Sequence, residues 1–225
     1  MYILYSKEYK IVFIMFSRCW SKTMINWIGE INNIPENERN SHKKVAENKS
    51  MCLNSYSSTE IMNIVDYSYQ IYIMIRNPYE RLLSTTIAHK QHENMTFKEF
   101  IFKYDNHNTI IMSHPKVILL LNNRNCEILN FNDFKSKLEE IRVKNEIPYE
   151  IKGYQELKYD NNIKYYKNNI YDTKLKSFNN NSIPMYKHFY TNEMKQKVYK
   201  MFKEDFEIFN IDNECNGISG LDHVS

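Results

Sequence analysis

Glycine and proline are scarce, with four and five residues in a chain of 225. Long flexible linkers need one or the other in quantity, so the composition argues against pieces strung on linkers. The four cysteines, Cys19, Cys52, Cys126 and Cys215, form no CxxC or CxxH pair. The spacing that zinc sites require is therefore missing, and reduced, intracellular thiols are the simplest reading. The N-terminal region has one apolar run, Ile11 to Phe16. It falls short of the roughly 7–15 residues of a signal-peptide core and the roughly 20 that span a bilayer. The expectation is a soluble, untargeted, cytoplasmic protein. Thirty basic against 27 acidic residues leave a net charge of +3, with no long basic tract, which speaks against a nucleic-acid partner. The same balance is compatible with an anionic ligand held in a local basic pocket. Asn, Lys and Ile crowd the whole chain, so a lone residue of these types carries little weight.

Apolar patterning predicts an α/β fold. Tyr9–Phe16 and Tyr69–Ile75 are short, continuous apolar runs rich in β-formers, the pattern of buried parallel strands, and Glu127–Phe131 is a third candidate. Helices are predicted over Thr23–Ile31, Ile61–Val65 (after a capping signal at Ser57-Ser58-Thr59-Glu60) and Tyr79–His89. Further helices are predicted over Thr96–Tyr104, His114-Pro115 to Leu121, Asn132–Val143 and Thr191–Phe209. Asn32–Asn48 reads as a polar loop, Gly153–Pro184 carries no clear pattern, and the tail frays from about residue 211. Strand–helix alternation without a repeat or boundary implies a single domain over 1–225, with a central parallel sheet flanked by helices.

Two basic motifs follow the two clearest strands. After the first comes Ser17-Arg18-Cys19-Trp20-Ser21-Lys22-Thr23. A turn of this composition feeding a helix binds phosphate through the helix N–H groups, and Arg18, Ser21, Lys22 and Thr23 add cations and hydroxyl donors. It is not a Walker A loop, because the glycines are missing. After the second strand comes Arg76-Asn77-Pro78-Tyr79-Glu80-Arg81-Leu82-Leu83-Ser84. Arg76 stands at a strand end, where open α/β sheets bind ligands. Arg81 and Ser84 share a helix face by their spacing. Arg76 and Ser84 can converge on one phosphate.

RNPYERLLS resembles the 3′-phosphate segment of the sulfotransferases that use 3′-phosphoadenosine 5′-phosphosulfate (PAPS), in the carbohydrate branch that acts on chondroitin and dermatan. The likeness runs in order over about residues 10–210. Asn54–Ile61 is similar to the family's YSPEEI helix start, and Thr96-Phe97-Lys98-Glu99-Phe100 to its TFxEF helix. His114-Pro115 resembles the following His-containing segment, Cys126–Phe134 the strand and acidic loop, and Tyr190–Phe209 the closing helix. The resemblance implies a P-loop-like sulfotransferase fold, PAPS as co-substrate without metal, and sulfuryl transfer to a small-molecule or glycan acceptor. The family's 5′-phosphosulfate loop reads Lys-x-Gly/Ala-x-Thr/Ser. Here either Arg18 or the shifted Lys22 takes the place of that Lys, and Trp20 stands where the family has a small residue.

Such a reaction needs cations for charge on the leaving oxygen and a base for the acceptor's proton. The base candidates are His42, favoured because its segment is expected to cross above the carboxyl edge of the sheet, then Glu30 and His114. The alternatives are a P-loop-type small-molecule or nucleoside kinase and a catalytically degenerate binding protein. Lys22-Thr23 supports the kinase, while the absent glycines and the lack of a strand-end Asp for magnesium oppose it. Trp20 is the feature that keeps the binding-protein reading open.

Overall fold

Ile11–Met15 and Gln70–Ile75 are almost wholly apolar, and nearly every side chain in them is buried. A strand covered on both faces has no solvent side on which to place polar residues. The computed structural model describes residues 1–15, 21–88, 92–103, 115–121, 126–153, 170–178 and 185–212. In chain order its elements begin with β1 (Tyr2–Ser6), β2 (Ile11–Met15), α1 (Ser21–Ile31), α2 (Glu36–Arg39), α3 (His42–Glu47) and α4 (Ser58–Ile64). They continue with β3 (Gln70–Ile75), α5 (Pro78–Ala88), α6 (Phe97–Lys103), α7 (Pro115–Leu121), β4 (Cys126–Asn130) and α8 (Phe134–Lys144). Short 3-10 turns over 170–178 and 186–189 precede α9 (Asn192–Met201) and α10 (Lys203–Ile208).

The fold is α/β, with a four-stranded sheet in the order β1-β2-β3-β4 flanked by helices. β2, β3 and β4 are parallel, with Met15 beside Met74 and Ile75 beside Asn130. β1 is antiparallel to β2 and puts Tyr2 beside Met15. The sheet is thus mixed where a parallel one was expected. Asn32–Asn48 differs from its expected loop in containing α2 and α3. The long C-terminal helix is two helices that meet at Phe202.

The chain divides into two compact units, 1–76 with 112–155 and 77–111 with 156–225. The first holds the sheet. Trp27 of α1 meets Phe13 of β2 edge-on at 5.9 Å, and Phe13 stacks on Tyr72 of β3 at 5.0 Å. Arg39 of α2 lies along α1, donating from Nη1 to the Asn26 carbonyl at 2.8 Å. Its side chain crosses Gly29 so closely that a Cβ there would meet Arg39 Cδ at 2.0 Å. The second unit is an aromatic-rich helical body built on Tyr79, Leu82, Phe97, Phe100, Phe189, Tyr190, Val198 and Phe206. Within it, the Tyr190 hydroxyl donates to the Tyr79 carbonyl at 2.8 Å.

Candidate functional site

Open α/β sheets bind ligands at the carboxyl ends of their parallel strands, and here that edge gathers groups from across the first unit. β2 stops at Met15 and α1 begins at Ser21. Residues 16–20, including Arg18, lie outside the described residues, as do His114 and the side chain of Ser21. Lys22 is exposed in the first turn of α1. Thr23 is 5% exposed, and its hydroxyl donates to the Gly153 carbonyl at 3.1 Å. One turn further on, Trp27 Nε1 donates to the Tyr149 carbonyl at 3.0 Å, so residues 149–153 are held along the start of α1. Gly153 has φ +81°, a left-handed conformation that suits glycine. The Thr23 hydroxyl proton, expected to face a phosphate, is given to this segment instead. The first turn of the 11-residue α1 still offers the Lys22 ammonium and the helix N–H groups.

Arg76 follows β3 directly. It is 3% exposed, and its guanidinium carbon lies 4.2 Å from the centre of the Phe131 ring. Phe131 is fixed in turn, because its N–H extends the β3–β4 ladder by donating to the Ile75 carbonyl at 2.9 Å. The aromatic face holds the flat cation by a cation–π contact and restricts its directions.

At the other side of β2, the antiparallel β1 brings Tyr2 to the same edge. Tyr2 is 8% exposed, and burial first, with the Cys52 thiol second, pushes its phenol up to about 12. Its hydroxyl is hydrogen-bonded to Nδ1 of His42, the first residue of α3, and the two rings stack at 5.7 Å and 18°. The Asn54 side chain ties down the start of β1, accepting from Ile3 N at 2.8 Å and donating to the Met1 carbonyl at 2.8 Å. Lys116 of α7 donates to the carbonyls of Asn54 at 2.7 Å and Tyr56 at 2.6 Å.

Glu30 sits elsewhere. It is nine positions along α1 from Ser21, about 14 Å by helical rise, and pairs with Arg39 at 3.7 Å. That position is remote from the start of α1. Ser84 lies half-buried on α5, in the second unit. Arg81 on the same helix is no solvated charge: it is 2% exposed, ion-paired with Asp205 of α10, and 5.7 Å from the Phe202 ring.

Of the residues singled out in the sequence, Lys22, Thr23, Arg76 and His42 are described within the first unit, whereas Tyr2, Phe131, Lys116 and Gly153 were not singled out. The aromatic directly after a strand was a usable signal for Phe131. No local signal marked the other three, whose partners lie far away in the chain. Among the described residues, no His, Cys, Asp and Glu cluster suits a metal ion, and no helix is long and apolar enough to cross a membrane.

No curated protein and no solved structure matches the chain. The model of the sulfotransferase family does match, over residues 1–212, and so takes in the strand–turn–helix at β2, Arg76 after β3 and both units. Lys22 in the first turn of α1 and Arg76 directly after β3 both lie within the matched residues, and the chain belongs to the sulfotransferase family.

Proposed function

We propose that this sulfotransferase takes its sulfuryl group from PAPS and delivers it to a hydroxyl of a carbohydrate acceptor. The observation that carries the proposal is the parallel register of β2 and β3, in which β2 ends at Met15 beside Met74, two residues before Arg76. Support for the carbohydrate acceptor comes from the resemblance of RNPYERLLS to the carbohydrate branch.

In this reading Arg18, Ser21, Lys22 and the first-turn N–H groups of α1 hold the 5′-phosphosulfate, and Thr23 ties the start of α1 to Gly153. Arg76 holds the 3′-phosphate. When bound, the donor supplies a sulfuryl group whose bond to the bridging oxygen breaks as the acceptor oxygen attacks in line. Lys22 and Arg18 stabilise the negative charge that gathers on that bridging oxygen. His42 accepts the acceptor's proton, because it stands at the same edge with its ring oriented by Tyr2, whereas Glu30 is turned toward Arg39.

Calorimetric titration with 3′-phosphoadenosine 5′-phosphate and with ATP–magnesium tests the donor site. Transfer of labelled sulfate from PAPS to a panel of glycans and small phenols tests the acceptor. The expected result is binding of the bisphosphate alone and label on a glycan. Binding of ATP–magnesium alone would overturn the donor assignment. Label on phenols only would overturn the acceptor, and binding without any transfer would make the protein a binding module.

A further inference from the structure

Sulfuryl acceptors present a hydroxyl that must lose its proton, and an imidazole can take it only through a ring nitrogen that carries no hydrogen. Whether His42 can do this depends on its tautomer, which is set by the partner of the other nitrogen. That partner is Tyr2, which β1 carries to the carboxyl edge opposite Met15. The phenol cannot easily move away. Its ring is buried, stacks on the imidazole, and belongs to a strand end tied down by Asn54. The imidazole itself is exposed, so Nε2 is the nitrogen available to a ligand.

We propose that Tyr2 is a positioning residue for His42: its oxygen accepts the Nδ1 hydrogen, leaving the Nε2 lone pair to receive the acceptor's proton. The inference rests on the reading of His42 as the base. In the proton-transfer step the acceptor O–H bond breaks, the hydrogen joins Nε2, and the oxygen keeps the electron pair with which it attacks sulfur. The resulting imidazolium carries hydrogen on both nitrogens, so its Nδ1 hydrogen must have an acceptor. Tyr2 Oη is that acceptor before and after the transfer, and no reorganisation is needed between the two states. A phenol that keeps its own proton through the neutral range retains a lone pair for this purpose without adding a competing charge.

The experiment compares wild type, Tyr2→Phe, His42→Ala and the double variant in steady-state turnover with PAPS. It adds the ¹⁵N spectrum of the His42 ring in wild type and Tyr2→Phe. Phenylalanine keeps the stacked ring and removes only the hydroxyl, so the fold is retained. The expected result is a wild-type spectrum with hydrogen on Nδ1, which Tyr2→Phe shifts toward hydrogen on Nε2. Turnover is expected to fall roughly tenfold in Tyr2→Phe and roughly 100-fold in His42→Ala, with KM for PAPS unchanged and no further loss in the double variant. Wild-type turnover in Tyr2→Phe would overturn the positioning role and leave His42 as the base, whereas hydrogen on Nε2 in the wild type would overturn the positioning role and the base assignment together. Wild-type turnover in His42→Ala would instead overturn the base assignment, and the proposal with it. A double variant that loses the product of both effects would show that Tyr2 acts independently of His42 and would also overturn it.

Discussion

Arg76 and Arg81 stand in one short motif and are equally buried, yet they serve opposite ends. Arg76 follows β3 and lies against the Phe131 face at the carboxyl edge of the sheet. Arg81 turns into the helical unit and meets Asp205. Nothing local distinguishes them. The partners lie 55 and 124 positions downstream, so spacing along α5 could suggest a shared face for Arg81 and Ser84 but not an ion pair with α10. For Arg76 the assigned role predicts a selective loss. Arg76→Ala is expected to weaken binding of 3′-phosphoadenosine 5′-phosphate by on the order of 10- to 150-fold, the worth of one charge-assisted contact. Adenosine 5′-phosphosulfate lacks the 3′-phosphate and should be nearly unaffected in the same titration. Equal losses for both ligands would assign Arg76 elsewhere. Arg76→Lys should not restore the wild type, because an ammonium neither forks nor stacks on Phe131.

At the scale of elements, α2 and α3 matter through what they carry. Arg39 lies across Gly29 and reaches Asn26 and Glu30, so α2 is clamped on α1 and α3 follows with His42 at its start. Alanine at 29 would gain roughly 0.5–1 kcal/mol as a better helix former. It would also force Arg39 out of its groove, an overpacking cost of about 1–3 kcal/mol, and the cost should win. Gly29→Ala is therefore expected to lower the melting temperature and turnover while leaving donor affinity intact. The Gly29→Ala/Arg39→Ala double variant, measured in the same melts, should be no less stable than Arg39→Ala alone. A Gly29→Ala protein more stable than wild type would refute the clamp.

These elements also show what the sequence could and could not reveal. β2 and β3 were legible because each is a continuous apolar run, and the strand-end position of Arg76 was legible because it directly follows one of them. β1 was not, although all five of its residues are buried. Its hairpin to β2 turns through Lys7–Lys10, where Lys10 takes φ 52° without the glycine or asparagine that marks such turns. Without β1 there was no means of placing Tyr2 beside His42. Phe202 interrupts the closing helix with φ −118° and ψ 23°, again with no proline or glycine to signal it. Both features are imposed by tertiary packing over weak local preference.

At the scale of the whole molecule, buried tyrosines tie stability to alkaline pH. Burial pushes the phenols of Tyr2 and Tyr5 up to about 12 from an ordinary value of 10. Above pH 10 the unfolded chain ionises these groups while the folded chain keeps them protonated. Their contribution is thus complete below pH 10 and is lost as pH rises toward 12. Urea midpoints measured from pH 9 to 12 should fall, and Tyr2→Phe with Tyr5→Phe should flatten that fall. An unchanged slope in the double variant would show that other groups govern it.

The two units are also interleaved in sequence, and this dictates a timetable for the chain as it leaves the ribosome. The sheet unit has its four described strands once β4 is made, and its last stretch ends at residue 155. The helical unit opens at Asn77 but lacks the carboxylate for Arg81 until Asp205 is made, 124 positions after that arginine. Through that interval α5 is already synthesised while its buried cation has no counter-ion from α10, and burying a charge without its partner costs about 3–5 kcal/mol. The nascent chain must therefore keep Arg81 hydrated until Asp205 has been made, so the half of the RNPYERLLS motif beyond Arg76 acquires its final surroundings after the sheet unit has its described strands.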